Sequence, residues 1–412
     1  MPEGLTHTVR RMMGRDPDED GRASTPLELL FDLTFVIAFG AASDQLAHAL
    51  ADDHVWEGVL AFCLAAFAVS WAWIGFSWFA SAYDTDDWLF RLTTMVQMVG
   101  VLLLALGVPR MFASVTHHAE HLDVQLMVVG YVVMRLPMVV QWVRAGHADP
   151  DHRALCSKMV WTLSLAQTGW VLILLVNPSM AVTAVTVVVL VGIELAGPLL
   201  AEKLHGGSPW HGHHIAERYG LMVIIALGEG LLGTTAALGA LIEDGWTVDA
   251  AVLGLAGTAL TFGVWWTYFV VPWGHLLAAY RNRSFGWGYG HIPLFSAVVA
   301  IGAGLHVAAY YLDDESELDA TGTLLAVAVP VAVYAACLYL LYAQITRTLD
   351  PFHMMLIAVT AVFVVLPVVL ADAGVDMVWC LALLALSPWV TVVGYETVGH
   401  RHNEHVLAAI EE

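Results

Sequence analysis

Two acidic residues near the start of this 412-residue sequence lie in an apolar stretch, where a charged side chain is unfavourable unless it has a function or a partner. Glu28 and Asp32 fall inside a long apolar stretch and are four residues apart, so an α-helix would place both on one face. Carboxylates this close can share a proton or a cation, which is the chemistry of an ion pathway. Glu28 could instead cap the helix or pair with a basic loop.

The seventh apolar stretch carries a further acidic group. Glu217 and Arg218 stand at its beginning, where they could belong to a substrate, proton or ion pathway with Glu28 and Asp32, or could each form a structural ion pair. Glu229 follows twelve residues later, about 18 Å along an α-helix, and so falls near the middle of the stretch. Gly228 and Gly230 flank it and would allow another helix to approach closely. We therefore predict that Glu229 is the main proton or substrate site.

The polar neighbour of a working Glu229 must come from another helix. His306, Glu194 or a residue of the first stretch could fill this role, and Glu194 could instead pair with the embedded Arg135. His291 lies about one turn inside the ninth stretch and could relay protons, because histidine titrates near neutral pH. A histidine in such a helix could equally be a hydrogen-bonded packing residue.

Asp84, Asp86 and Asp87 follow the second apolar stretch directly. Clustered carboxylates can hold Mg²⁺, although Arg91 nearby could simply neutralise them. The spacing matches no recognised metal or catalytic pattern. We therefore predict neither a metal nor another cofactor, and the sequence assigns no catalytic residue.

The composition indicates that these groups lie in a lipid bilayer. Apolar residues make up 59% of the chain and charged residues 13%, and the mean hydropathy is +0.71. Soluble globular proteins carry about 25% charged residues, so these values exclude a soluble enzyme or a disordered chain. The net charge of −21 excludes a nucleic-acid partner, since binding to phosphates needs clustered positive charge. The lipid bilayer is the expected partner.

The apolar stretches predict an all-α fold, a polytopic membrane bundle of about twelve transmembrane helices. Each stretch is long enough to cross a hydrocarbon core of about 30 Å as a helix. Backbone groups in lipid must bond within their own segment, which favours helices over open strands. Only the glycine-rich seventh stretch is a clear candidate for a broken helix. The predicted spans are 27–50, 55–80, 89–109, 122–144, 155–176, 179–201, 213–242, 248–271, 287–311, 321–346, 353–372 and 376–398.

The distribution of Lys and Arg predicts the orientation. With the N-terminus inside, the inner loops carry almost all of the basic loop residues, whereas an outer loop such as 313–319 is acidic. We therefore expect a cytoplasmic N-terminal tail at 1–26 and a cytoplasmic C-terminal tail at 399–412.

The two halves of the chain resemble each other. The halves are 27–201 and 213–398, six spans each, joined by a cytoplasmic linker at 202–212. Glu28 and Trp73 in the first half correspond to Glu217 and Trp266 in the second. Because six spans preserve orientation, this predicts a parallel internal repeat about an axis along the membrane normal.

Four of these segments also resemble signatures of one family. Leu27–Val36 resembles the opening signature of the bacterial low temperature requirement A (LtrA) family, and Glu217–Glu229 resembles its central signature. Tyr83–Asp87 and Gly290–His291 fit as well, and the resemblance extends over residues 24–400. Gly230 departs from it, since a serine is common at that place. The resemblance implies a multi-pass protein of the bacterial inner membrane that is linked to growth in the cold, without specifying a molecular activity.

Three functions fit these observations. The first is a secondary transporter or proton- or ion-coupled pathway that uses the embedded carboxylates for an ion or small molecule. The second is an integral-membrane enzyme with a cytoplasmic-face site built from Asp84, Asp86, Asp87, His213 and His214. The third is a non-catalytic membrane protein that supports growth in the cold. We favour the first, and thus a transporter over an enzyme; the sequence indicates neither substrate nor oligomeric state.

Overall fold

The computed structural model describes residues 9–242, 245–348 and 350–399. Residues 1–8 and 400–412, which belong to the two predicted tails, lie outside the described residues. Within the described ranges the regular elements are all helical. The α-helices are α1 Pro26–Ala51, α2 Val55–Tyr83, α3 Trp88–Thr116, α4 Gln125–Ala148, α5 Arg153–Val176, α6 Met180–His205, α7 Gly212–Ile242, α8 Val248–Phe269, α9 Trp273–Ala279, α10 Ser284–Leu312, α11 Ala320–Thr346, α12 Pro351–Asp372, α13 Met377–Leu384 and α14 Ser387–Gly394.

These helices confirm the predicted membrane bundle. They form twelve segments that are long and apolar enough to cross a bilayer, with α8 and α9 in one segment and α13 and α14 in another. Two segments extend well beyond their predicted ends: the segment of α8 and α9 ends at Ala279, and α3 continues past Pro109 and Arg110 to Thr116. A single basic residue near a membrane surface does not end a helix, because its side chain can extend toward water.

Side-chain caps explain where several helices begin. The carboxylates of Asp87, Asp319, Asp350 and Asp376 each accept a hydrogen bond from a backbone N–H in the first turn of α3, α11, α12 and α13. The Thr247 hydroxyl does the same for α8. Such caps satisfy N–H groups that a helix start leaves without partners. Part of the acidity of the connecting loops is therefore structural.

The chain folds into two compact units. The first takes in the described residues up to Ala41 together with Ala68–Ile215, and the second takes in Ala42–Phe67 together with the described residues from Ala216 onward. In the first unit α3 to α6 pack in sequence order, and in the second α10 packs on α11 while α12, α13 and α14 pack with α8 or α11. The internal repeat remains a prediction.

The interrupted helices differ from the expectation. The glycine-rich α7 runs without a break from Gly212 to Ile242. The breaks lie elsewhere, between α8 and α9 at Pro272 and between α13 and α14, where Pro388 follows Ser387. Proline lacks the N–H that a helix interior needs, so it ends or restarts a helix more effectively than glycine does.

Candidate functional site

Glu28 caps the helix that contains it. The backbone N–H and the hydroxyl of Thr25 donate to Glu28 Oε2 at 2.8 and 2.9 Å, and the Glu28 N–H lies 3.3 Å from Thr25 Oγ1. This reciprocal arrangement is a capping box. The capping alternative is therefore confirmed, yet the Glu28 side chain is also fully buried. A buried carboxylate is unfavourable unless a cation or several hydrogen-bond donors stabilise it, so the cap alone does not account for Glu28.

Three more side chains belong to the surroundings of Glu28. His214 and Arg22 lie near its carboxylate, and Asp84 lies near the same Arg22 guanidinium. His214 Nε2 lies 3.3 Å from Glu28 Oε1, and one Arg22 guanidinium nitrogen lies 3.8 Å from both Glu28 Oε1 and Asp84 Oδ2. Burial, with a further contribution from the Glu28 charge, raises the pKa of Asp84 to about 6. We name these four residues the Arg22 cluster. It combines groups from both predicted sets and can exchange a proton near neutral pH.

Asp32 has a different kind of partner. It is fully buried, and its Oδ1 accepts a hydrogen bond of 2.7 Å from Trp73 Nε1 of α2. An indole N–H stabilises a carboxylate without neutralising it. Glu28 and Asp32 thus lie one helical turn apart with distinct surroundings, and a shared role for them remains a prediction.

Asp86 and Asp87 turn away from the Arg22 cluster. Asp86 is exposed and forms a bidentate pair with Arg91 at 2.8 Å. Asp87 accepts from Arg144 and from the Arg10 N–H. Burial alone would raise the pKa of Asp87, but the donors around it, Arg144 first, lower it overall. Over the ranges that the structure describes, no three His, Cys, Asp or Glu side chains are placed to hold a metal ion.

Glu217 and Arg218 differ in exposure although they are adjacent in α7. The Glu217 side chain is exposed, whereas Arg218 is fully buried and is among the largest buried side chains. A fully buried guanidinium is costly and so is part of a defined arrangement. The functional roles predicted for both residues remain predictions.

His291 occupies an aromatic cage in the second unit. Its Nδ1 lies 2.7 Å from the Trp287 carbonyl, and its Nε2 lies 3.0 Å from the Tyr268 hydroxyl. The rings of Tyr219 and Trp287 lie 4.8 and 4.3 Å from the imidazole. Nδ1–H donates to the Trp287 carbonyl, and Nε2 accepts from the Tyr268 hydroxyl, so both ring nitrogens already have partners. This geometry favours the packing role over the relay role.

Glu229 is buried inside the second unit. Its exposed fraction is 5%, and it interacts electrostatically with the Ser43 hydroxyl of the first helix, which itself lies 3.5 Å from the Val299 carbonyl oxygen. The close helix approach comes from Gly302 of α10, where an added Cβ would lie 2.6 Å from the Glu229 backbone carbonyl carbon. Of the two flanking glycines, Gly230 faces the Thr261 hydroxyl and Gly228 has no heavy atom within 4 Å of its Cβ position. Glu229 is therefore buried near a residue of the first helix, and its role as a site remains a prediction.

Polar side chains continue from Glu229 toward the Ala51 end of α1. Asp44, next to Ser43, interacts electrostatically with both Glu229 and His306. His48 Nδ1 lies 2.8 Å from the Asp44 carbonyl and 3.6 Å from its carboxylate, and His48 Nε2 lies 3.4 Å from the Tyr310 hydroxyl. Asp44 and His48 are more than half exposed. We name Ser43, Asp44, His48, His306 and Tyr310 the α1–α10 polar line.

The first unit contains a second buried carboxylate with many donors. Arg135 Nη2 lies 3.5 Å from Glu194 Oε2, so the pair considered from the sequence does form. Three aromatic donors that the sequence analysis missed complete the site, with Trp71 and Tyr131 at 2.5 Å and Trp170 at 3.1 Å. The available signal was the apolar setting of these rings, since a buried indole or phenol needs an acceptor.

Comparison with known proteins places the chain in a family. The model of the bacterial low temperature requirement A protein matches residues 23–388. An uncharacterised protein of Rhizobium meliloti (strain 1021) is 27% identical over 321 residues, which cover 74% of this chain and 73% of that protein. No solved structure matches the chain. Because the family model covers most of the sequence, this chain is a multi-pass membrane protein that belongs to the bacterial LtrA family.

Proposed function

We propose that this protein is a secondary transporter or proton-coupled pathway in which Glu229 takes up and releases the coupling ion. One observation carries the proposal. Glu229 is 5% exposed in the 31-residue helix α7, and within the described ranges it forms no ion pair. A buried carboxylate without a counter-charge is unfavourable in a membrane until it binds a proton or a cation.

The α1–α10 polar line supplies a route to this carboxylate. It brings the exposed groups of Asp44 and His48 into the neighbourhood of Glu229, and its hydroxyl, carboxylate and imidazole groups can pass a proton along. Gly302 of α10 allows α10 to lie close to Glu229, because a larger residue there would collide with the Glu229 backbone. The route therefore depends on the close contact between α7 and α10.

The distribution of basic loops gives the route a direction. We propose that the chain lies in the bacterial inner membrane with both termini in the cytoplasm. The Ala51 end of α1 would then face outward, and protons would enter from outside. Asp314→Cys should react with an impermeant thiol reagent on intact cells, and Arg153→Cys should not. The reverse labelling pattern would overturn this orientation.

The enzyme alternative has weaker support. Asp86 and Asp87 are held by Arg91 and Arg144, and only Asp84 joins the buried Arg22 cluster. Carboxylates that are each bound to a different cation do not form a common site for substrate or metal. We therefore retain the pathway proposal.

Proton flux into vesicles tests the proposal. The full chain would be reconstituted into liposomes that contain a pH-sensitive dye, and a potassium diffusion potential would drive protons inward. We expect wild-type vesicles to acidify faster than empty ones and Glu229→Gln vesicles to behave like empty ones. Asp249→Asn, which neutralises an exposed carboxylate of the same unit, is the matched control and should retain the flux. Wild-type flux in the Glu229→Gln vesicles, or none in the wild type, would contradict the proposal.

A further inference from the structure

A groove lies between the adjoining ends of α4 and α5 in the first unit. It has a volume of about 340 Å³, within the range of pockets that bind small molecules, about 300–1,000 Å³. The segment of α4 ends at Ala148 and that of α5 begins at Arg153, so the groove opens where two consecutive transmembrane segments reach the membrane surface. Its wall includes Trp142, Val143 and His147 of α4 and Arg153, Ser157 and Val160 of α5.

The polarity of this wall changes with depth in the bilayer. Arg153 and His147 lie at the helix ends, and Ser157 follows one turn after Arg153. Val143 is four residues from His147 and Val160 is seven residues from Arg153, about 6 and 10 Å further along the helices. A phospholipid has the same order, with a charged headgroup at the surface and apolar chains below it.

The charge of the wall is positive although the chain is acidic. The sequence has 37 Asp and Glu against 16 Lys and Arg, yet no carboxylate lines the groove. Arg153 is exposed; its Nε donates to the Gly146 carbonyl at 3.1 Å, and within the described ranges it forms no ion pair. Its terminal guanidinium nitrogens can therefore donate to the oxygens of an anion. Asp149, in the adjoining loop, is held by the Gly14 N–H and by His152.

Trp142 gives the groove a rigid wall with a polar atom. It is 6% exposed, and its ring packs on those of Phe79 and Tyr83 at 4.8 and 5.8 Å. Its indole N–H donates to no acceptor among the residues that the structure describes, whereas the N–H of a buried indole usually has one. A phosphate or ester oxygen in the groove would supply that acceptor. His147 donates through Nδ1 to the Val143 carbonyl, so it adds a second donor only as an imidazolium.

We propose that this groove is a binding site for an anionic phospholipid of the bilayer. The headgroup phosphate lies beside Arg153 and His147, and one acyl chain follows Val143 and Val160 into the membrane. Basic pockets between transmembrane helices are known to bind anionic headgroups. A zwitterionic lipid fits less well, because its ammonium group opposes the positive wall. The site is separate from Glu229, which belongs to the other unit, and does not depend on the proposed transport role.

Lipid retention by the purified full chain tests this site. Phosphatidylglycerol and phosphatidylcholine with identical acyl chains would be added to the protein in detergent, and bound lipid would be counted by native mass spectrometry. We expect the wild type to retain phosphatidylglycerol preferentially. Arg153→Gln should weaken this binding about fivefold, the effect of one basic residue near an anionic surface, and leave phosphatidylcholine unchanged. Arg110→Gln, which removes an exposed charge outside the groove wall, is the matched control and should bind as the wild type does.

A second pair of variants tests the shape of the groove without changing its charge. Val143→Trp fills the groove from an exposed position and should also weaken phosphatidylglycerol binding. Val140→Trp, on the same helix but outside the groove wall, should not. Soluble glycerol phosphate should fail to displace the lipid, since it lacks the acyl chains. Equal retention of the two lipids, unchanged binding in Arg153→Gln or Val143→Trp, or displacement by glycerol phosphate would each overturn the proposal.

Discussion

Glu194 and Glu229 are equally buried, each 5% exposed, but their surroundings are opposite. Glu194 in the first unit is held by a guanidinium, two indoles, a phenol and an amide, within 3.5 Å. Glu229 in the second unit has one serine hydroxyl and a nearby carboxylate, Asp44. Burial therefore does not by itself identify a working carboxylate. The number and charge of the donors distinguish a structural group from one that can exchange an ion.

The two sites also differ in what approaches them. Gly75 of α2 makes room for the Arg135 guanidinium, which an added Cβ would approach to 2.6 Å. Gly302 of α10 makes room for the backbone of Glu229 at the same distance. One glycine accommodates a counter-charge and the other accommodates a helix. The first arrangement fixes a charge pair, whereas the second brings two helices together beside an unpaired carboxylate.

Neutralising each carboxylate should give the largest difference. Glu194→Gln leaves Arg135 buried without a counter-charge and should destabilise the protein by about 3–5 kcal/mol. Glu229→Gln removes no ion pair and should cost about 1 kcal/mol or less, the scale of one neutral hydrogen bond. Denaturant unfolding of both variants in the same detergent measures the difference. Equal destabilisation would mean that Glu229 is also a structural residue.

Asp84 is an intermediate case, since it shares Arg22 with Glu28. Its pKa is raised from 3.8 to about 6, so the folded protein holds a proton there that the unfolded chain releases. Wild-type stability should therefore decrease, relative to Asp84→Asn, as pH rises from about 4 to above 6, by up to about 3 kcal/mol.

Tm measured across this pH range checks the sign. Asp86→Asn, which changes an exposed carboxylate of the same loop, is the control variant. If the stability difference between wild type and Asp84→Asn moved the other way with pH, then Asp84 would be favoured as a charged partner of Arg22, like Glu194 with Arg135.

The two glycines allow a matched test of packing. Gly302→Ala must move the α7 backbone and should destabilise by about 1–3 kcal/mol. Gly75→Ala meets only the end of the Arg135 side chain, which can shift by a few tenths of an ångström, so the loss should be smaller. Unfolding of both variants measures this, and proton flux should fall only in Gly302→Ala. A greater loss in Gly75→Ala would show that the Arg135 position is the more rigid of the two.

The sequence was sufficient for features that depend on local chemistry. Length and hydropathy predicted the spans, and the depth of Glu229 along α7 predicted its burial. It was insufficient where distant residues meet, as with Arg22 and Asp84, or the aromatic donors of Glu194. Proline shows why helix breaks were mispredicted, since Pro109 lies inside a continuous helix whereas Pro388 restarts one. Neighbouring helices decide whether the freed carbonyl is satisfied, and a single sequence does not contain that information.

Ser43→Ala should produce the smallest effect and addresses the comparison most directly. It removes a hydroxyl that interacts with Glu229 and lies 3.5 Å from the Val299 carbonyl oxygen, and it should cost about 1 kcal/mol, the scale of one hydrogen bond. We expect the flux to fall severalfold without vanishing, since the carboxylate itself remains. Ser296→Ala is the matched control, because its hydroxyl bonds only within α10, to the Ile292 carbonyl. If Ser43→Ala and Ser296→Ala both retained full flux, Ser43 would play no part in the Glu229 site, and the route would have to reach Glu229 without its hydroxyl.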